Sequence, residues 1–184
     1  MCWRNADKQY GIIAKGFHWL VAGLVIGLLC LGFYMMSLER SPTTSYLFFL
    51  HKSFGVTVLM LMVLRLGWRF ANIQPAALPR HKPWEKRLAR AIVWFFYAAL
   101  ILMPLSGWLM SSAHGYPVSV FKLFTLPDLV PEDHDLSEFL EGVHGTLAWI
   151  VIGVLIFHVA GVLKHHIMDK DSTLRRMIPF GKVE

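Results

Sequence analysis

The chain has 184 residues, of which 55% are hydrophobic and 16% are charged. A soluble domain is nearer to a quarter charged, so the composition excludes an ordinary soluble protein and predicts a single integral membrane domain over residues 1–184. The net charge of +6 does not indicate a nucleic acid partner, because basic residues of membrane proteins gather in cytoplasmic loops.

Four apolar runs are long enough to cross a bilayer as helices, which takes about twenty residues each. They cover residues 17–36, 46–70, 88–110 and 139–163. The runs are continuously apolar rather than alternating, and this favours helices over membrane strands. The sequence therefore predicts an all-α integral membrane protein with a four-transmembrane-helix bundle.

The charges of the connections predict how this bundle is oriented. Basic residues gather before the first run, after the second and after the fourth: Arg4, Lys8, Lys15, Arg80, Lys82, Lys86, Arg87, Lys164, Lys170, Arg175 and Arg176. The third connection is acidic, with Asp128, Glu132, Asp133 and Asp135. The positive-inside rule then places both termini in the cytoplasm of a multi-pass plasma (inner) membrane protein. In the same outer connection, Tyr116–Leu126 is expected to form a short interfacial helix.

Four histidines lie inside the apolar runs, and their depths match in pairs. His18 begins the first run, His51 lies near the start of the second, and His144 and His158 are fourteen residues apart in the fourth. Fourteen helical residues rise about 21 Å and return to within about 40° of the starting direction, so His144 and His158 share one helix face. The level pairs are His51 with His144 on the outer side and His18 with His158 on the inner side.

Each pair is predicted to supply the two axial ligands of one haem iron. An ionisable residue inside a membrane span indicates function, and bundles build cofactor sites from side chains on facing helices. The chain has no CxxCH motif, so any haem is expected to be b-type. Two alternatives stay open. The histidines are packing residues of a haem-free structural or transport bundle, or they bind another metal, although the middles of the spans lack the carboxylates expected of a metal transporter.

Two cations near the histidines are predicted to contact the cofactors. Arg65 lies fourteen residues after His51 and is expected to pair with a propionate of the inner haem. Lys52 is expected to serve the outer propionates or to attract an anion. His81 is predicted to be solvated or interfacial. Four glycines are expected to be either porphyrin neighbours or points of close helix packing: Gly55, Gly145, Gly153 and Gly161.

The chain resembles the bacterial cytochrome b561 family of four-helix di-haem membrane cytochromes. The resemblance rests on the segments HWL (His18–Leu20), HKSFG (His51–Gly55), MVLRLGWR (Met62–Arg69), MPLSGW (Met103–Trp108), HGTLAW (His144–Trp149) and FHVAGVLKHHIMDKDSTLRRMIP (Phe157–Pro179). It implies two haem b groups, with His51 and His144 on one iron and His18 and His158 on the other.

The resemblance also implies a function, which is electron transfer across the inner membrane to or from the quinone pool. The expected activity is that of an oxidoreductase, with superoxide as the small-molecule donor and ubiquinone as the substrate that is reduced. The alternative is a cytochrome b anchor and electron-carrier subunit for a separate periplasmic redox protein. The acidic outer connection favours that alternative, since it would dock a basic partner.

Overall fold

The computed structural model describes residues 3–179; residues 1–2 and 180–184 of the predicted domain lie outside that range. Four long helices dominate the fold: α1 (Ile12–Met36), α2 (Pro42–Phe70), α3 (Pro83–Ala113) and α4 (His134–Leu163). Each is long and apolar enough to cross a membrane. The predicted four-helix membrane bundle is confirmed.

Each helix begins four or five residues before the apolar run from which it was predicted. The added turns of α2 and α4 are largely polar, and each follows a side-chain cap. The Ser41 hydroxyl accepts a hydrogen bond from the Thr44 amide at 3.1 Å, and Pro42 occupies the first turn of α2. The Asp133 carboxylate likewise accepts from the Leu136 amide at 3.0 Å. Such caps satisfy amides that have no partner within the helix.

Each helix packs against the next along the chain, and the centre of the bundle is apolar. The larger of two clusters of buried apolar residues is made of Val21, Val58, Met62, Tyr97, Ala99, Leu100 and Val151. Large apolar side chains also cover the outside of the helices, such as Leu20, Leu64, Leu102 and Phe157. Exposed apolar surface of this extent suits contact with lipid rather than with water.

The two ends of the bundle differ in structure. At one end, here called the termini end, α4 continues into a π-helical turn, Lys164–Met168. The segment 169–179 then folds back over the start of α1, where the Lys15 ammonium donates to the carbonyl of Ile178 at 3.0 Å. Lys15 is only 6% exposed, so this contact fastens the chain's final segment to the first helix.

The opposite end, here called the hairpin end, carries a small antiparallel hairpin of β1 (Val118–Val120) and β2 (Phe124–Leu126). The prediction of an interfacial helix over Tyr116–Leu126 is therefore wrong. Both valines of β1 are 2% exposed, and this alternation of buried side chains is that of a strand. The connecting turn places Phe121 at φ 48° and Lys122 at φ 61°, which no α-helix tolerates.

Contacts with α2 offset the strain of this turn. A bulky residue at positive φ costs on the order of 1–3 kcal/mol. The Phe121 amide donates to the hydroxyl of the fully buried Ser53 at 3.1 Å, and the Phe121 ring meets Phe54 with ring centres 5.1 Å apart. The hairpin is thereby held against α2 beside His51.

Candidate functional site

The structure brings the four intramembrane histidines together as two pairs, each joining α4 to another helix. At the termini end, the ring centres of His18 on α1 and His158 on α4 are 6.3 Å apart. At the hairpin end, those of His51 on α2 and His144 on α4 are also 6.3 Å apart. We call these the termini-end pair and the hairpin-end pair, respectively.

The spacing within each pair fits two axial bonds to one metal ion. A bond from an imidazole nitrogen to a transition metal is about 2.0–2.1 Å long, and the ring centre lies about 1.2 Å beyond the nitrogen, so two opposed ligands place their ring centres about 6.4 Å apart. The observed ring centres are 6.3 Å apart in both pairs. Direct stacking or hydrogen bonding of two imidazoles would bring the rings closer than this.

In the hairpin-end pair, Ser106 fixes which nitrogen of His144 is free. The Ser106 hydroxyl donates its one proton to the carbonyl of Met103 at 2.8 Å. Its contact with His144 Nδ1, at 3.0 Å, must therefore have Nδ1–H as the donor. Nε2 is then unprotonated and is the nitrogen available to a metal. A hydrogen bond of this kind orients metal-binding histidines in general.

Two glycines missed in the sequence make room for the imidazoles of the hairpin-end pair. A Cβ atom at Gly107 would lie 3.2 Å from Cε1 of His144, and one at Gly32 would lie 3.3 Å from Cε1 of His51. Both distances are tighter than ordinary contacts, so any larger residue would displace the ring. One signal was available for Gly32, which lies fourteen residues after His18 and so shares its helix face.

Other features of the site also fit a flat cofactor. His51 Nδ1 is buried without a hydrogen-bond partner among residues 3–179, although buried polar atoms are usually satisfied. An added Cβ would meet nothing within 4 Å at any of the four glycines singled out in the sequence, Gly55, Gly145, Gly153 and Gly161. Within residues 3–179, therefore, no other helix packs closely against these glycines, of which Gly145 and Gly161 are exposed.

The termini-end pair is bordered by an aromatic ring and by a cation. Phe96 meets the His158 ring edge to face, with centres 5.5 Å apart. The Arg65 guanidinium lies 3.2 Å from His18 Nδ1 and 5.7 Å from the centre of the Tyr97 ring. Because arginine only donates, Nδ1 of His18 is the acceptor here. A neutral imidazole that binds a metal through Nε2 carries its proton on Nδ1, and Nδ1 can then no longer accept a hydrogen bond. Metal binding would therefore free the Arg65 guanidinium to pair with an anionic group.

Lys52 is held beneath the connection between α3 and α4. Its ammonium donates to the Ser111 hydroxyl at 2.9 Å and to the carbonyl of Pro117 at 3.3 Å, and it lies 5.8 Å from the centre of the Tyr116 ring. Two of the three N–H donors of an ammonium are thus used, and the third remains for an anion.

His81, predicted to be solvated or interfacial, is largely packed into a cluster at the termini end. Its side chain is 13% exposed, and Nε2 lies 2.7 Å from the carboxylate of the buried Asp171. Burial alone would raise the pKa of Asp171, but hydrogen bonds from Thr173 and His81 lower it to about 2. Asp171 is therefore ionised at neutral pH. His81 and Asp171 are ninety residues apart, so no local pattern in the sequence indicates their contact.

Comparison with known proteins gives one family for nearly the whole chain. The family model described as prokaryotic cytochrome b561 matches residues 9–180. Cytochrome b561 homolog 2 of Escherichia coli (strain K12) is 36% identical over 185 residues, covering 97% of this chain and 95% of the relative. A protein named probable superoxide oxidase CybB, of Yersinia pestis, is 30% identical over 175 residues, covering 94% and 97%. Cytochrome b561 homolog 1 of E. coli is 27% identical over 132 residues, covering 72% and 74%.

Proposed function

The chain belongs to the prokaryotic cytochrome b561 family, and on that premise we propose that it oxidises superoxide and reduces ubiquinone with two b-type haems. The family membership and the four spans make it a haem-binding, multi-pass electron-transfer protein of the inner membrane. The number of haems, their ligands, the donor and the acceptor belong to the proposal.

The observation that carries the proposal is the equal spacing of the two histidine pairs. We assign His51 and His144 to the haem at the hairpin end, and His18 and His158 to the haem at the termini end. Both pairs have ring centres 6.3 Å apart, a spacing at which the two imidazoles of each pair would hold one haem iron. Each haem, when bound, supplies an iron that takes up and releases one electron.

The surrounding residues orient the histidines of these sites and exclude water from the centre of the bundle. Ser106 orients His144 through Nδ1, and Gly32 and Gly107 leave the space that the imidazoles need. Val58, Met62 and Val151 are at most 3% exposed in the middle of the bundle. An apolar centre of this kind excludes water and ions, which suits electron transfer and prevents leakage of ions.

The two cations are assigned to anions at the two ends. Arg65, close to His18, is proposed to pair with a propionate at the termini end through a forked contact. Lys52 is proposed to present its free N–H either to a propionate or to the superoxide anion. The relative named a probable superoxide oxidase is 30% identical over 94% of this chain, and this similarity supports superoxide as the donor.

The proposed reaction is balanced by two superoxide anions for each quinone. Each superoxide gives up one electron and leaves as dioxygen. Ubiquinone takes up the two electrons and two protons and becomes ubiquinol, which returns to the membrane. The chain's own contribution is to bind and orient the redox groups, to attract the donor and to exclude water between the two ends.

One observation favours a second function, that of an electron-carrier subunit for a separate periplasmic redox protein. The connection between the hairpin and α4, together with the first turn of α4, carries four exposed acidic residues, Asp128, Glu132, Asp133 and Asp135. Such a surface repels superoxide and complements a basic protein. In this alternative the histidine pairs keep their role and only the donor changes.

The first test is the haem content of the purified chain, measured as the pyridine haemochrome. We expect about two b-type haems per chain. Anaerobic mixing with superoxide should then reduce them, and ubiquinone should reoxidise them. A chain that takes up no haem when haem is supplied during expression would contradict the proposal. Reduction by quinol or by a periplasmic protein, but not by superoxide, would exclude the proposed donor and favour the second function.

A second prediction concerns Lys52. Replacing Lys52 by methionine removes the positive charge but keeps the length of the side chain. We expect the rate constant for reduction by superoxide to fall roughly 10-fold or more at low salt, with two haems retained, because local positive potential raises the encounter rate of a small anion. The effect should shrink at high salt as the charges are screened.

The matched control is Lys86→Met, which makes the same charge change at the termini end, where the Lys86 ammonium donates to the carbonyl of Pro79 at 3.5 Å. The reduction rate of this variant should equal that of the original chain. An unchanged rate in Lys52→Met would exclude the role in attracting superoxide. Loss of haem from Lys52→Met would instead assign Lys52 to the propionates.

A further inference from the structure

A second group of metal-binding side chains lies at the termini end, apart from the histidine pairs. It joins three separate segments: His81 from the connection between α2 and α3, His165 from the π-helical turn, and Asp171 from the segment after it. One nitrogen of each ring and one oxygen of the carboxylate all lie within 4.8 Å of one another. The proposed electron transfer makes no use of these residues.

Both rings place a nitrogen near one oxygen of Asp171. His81 Nε2 lies 2.7 Å from Asp171 Oδ2, and His165 Nδ1 lies 3.3 Å from the same atom. The ring centres are 4.3 Å apart. Neighbouring ligands of a tetrahedral zinc ion are about 3.3 Å apart, since each bond is about 2.0 Å long. The two nitrogen–oxygen distances are within about 0.6 Å of that spacing, and the two ring nitrogens lie no more than 4.8 Å apart.

Burial and a supporting hydrogen bond fix this arrangement. The Asp171 side chain is 2% exposed, and its other oxygen, Oδ1, accepts from the Thr173 amide at 2.8 Å. Oδ2 is thereby turned towards the rings. His165 Nδ1 is buried and makes no well-formed hydrogen bond within the described part of the chain, although the Asp169 carboxylate lies 2.7 Å away. His165 Nδ1 therefore lies between two carboxylates, those of Asp169 and Asp171.

The surrounding charges permit a cation at this point. The Lys164 ammonium, which lines the same cleft as Arg80 and Lys82, is already paired with Glu85 and Asp169, each at 2.7 Å. An open cleft of about 380 Å³, lined in part by His81 and Asp169, gives access from solution. Because Asp169 is engaged by Lys164, water is the better candidate for a fourth ligand.

We infer that His81, His165 and Asp171 form a binding site for a divalent cation of the zinc class. Two imidazoles and one carboxylate suit zinc, whereas magnesium and calcium prefer oxygen ligands alone. The bound ion would fasten the final segment to the connection between α2 and α3. That segment lies over the start of α1, where the Trp19 indole donates to the carbonyl of Met177 at 2.9 Å. The site would thus stabilise the end of the bundle that holds His18.

The test is direct zinc binding to the haem-loaded chain in detergent. After removal of metals with a chelator, the protein is dialysed against micromolar free zinc, and bound zinc is measured by mass spectrometry. We expect about one zinc per chain and a higher unfolding temperature with zinc, because the ion binds only the folded state. Asp171→Asn and His81→Gln should each lower the zinc affinity at least 10-fold.

The matched control is His166→Gln, which removes the neighbouring histidine from outside the group and should keep the bound zinc. Haem content and the unfolding temperature without zinc verify that each variant is folded. Asp171 and His81 lie on different segments, so if one of the two variants fails to fold, the other still tests the loss of zinc affinity. The inference is overturned if the original chain retains no zinc, or if zinc stays bound equally in all three variants. In the second case the ions are adventitious.

Discussion

Replacing His158 by alanine is expected to leave about one haem per chain and to abolish the reduction of ubiquinone by superoxide. A b-type haem has no covalent attachment, so its axial ligands and packing hold it in place. His158 faces His18 at the termini end, and its loss removes one of two ligands there. The hairpin-end pair lies on the other side of the apolar centre and stays complete. The measurement is the pyridine haemochrome together with quinone reduction.

Two further variants make this experiment decisive. His134→Ala changes a histidine at the start of the same helix whose side chain is 80% exposed, and it should retain two haems. His158→Met keeps a ligand and much of the side-chain volume. It is expected to retain the termini-end haem with a raised reduction potential, as methionine ligation generally gives. Two intact low-spin haems in His158→Ala would show that His158 is not an iron ligand.

Much of the fold follows from the sequence because membrane spans have a strong and local signal. A run of about twenty apolar residues has few alternatives to a membrane-spanning helix. The pairing of helix faces was also predictable, since the fourteen-residue interval between His144 and His158 fixes both depth and direction. In the structure, the same interval from His18 leads to Gly32, whose missing side chain makes room for His51.

The features that the sequence missed depend on contacts between distant residues or on unusual backbone. The hairpin turn uses Phe121 and Lys122 at positive φ, although neither residue type signals such a turn. Its conformation is stabilised by Ser53, which lies on α2. In the sequence, His81 resembles an ordinary loop residue, and its contact with Asp171 is seen only in the folded structure. Tertiary contacts of this kind leave no periodic pattern that a reading along the chain would detect.

Replacing Gly107 by valine is expected to remove the hairpin-end haem and to leave the one at the termini end. A Cβ atom at position 107 would already lie 3.2 Å from Cε1 and 3.4 Å from Nδ1 of His144, and the methyl groups of valine would reach further. Overpacking of this kind costs about 1–3 kcal/mol unless the neighbour moves. The neighbour that would move is the His144 ring, which would lose its bond to Ser106 and its position opposite His51.

The matched control is Gly67→Val, which makes the same substitution in α2 at an exposed glycine, where an added Cβ would meet no atom of residues 3–179 within 4 Å apart from its own helix. Both variants carry the same intrinsic helix penalty for valine, so a difference in haem content reports the crowding of His144 alone. Gly107→Ala needs the ring to give way by only a few tenths of an ångström and should keep both haems, with a shifted potential at the hairpin end. If Gly107→Val binds two low-spin haems as fully as Gly67→Val does, the His144 ring cannot be a ligand in the position that the structure gives it.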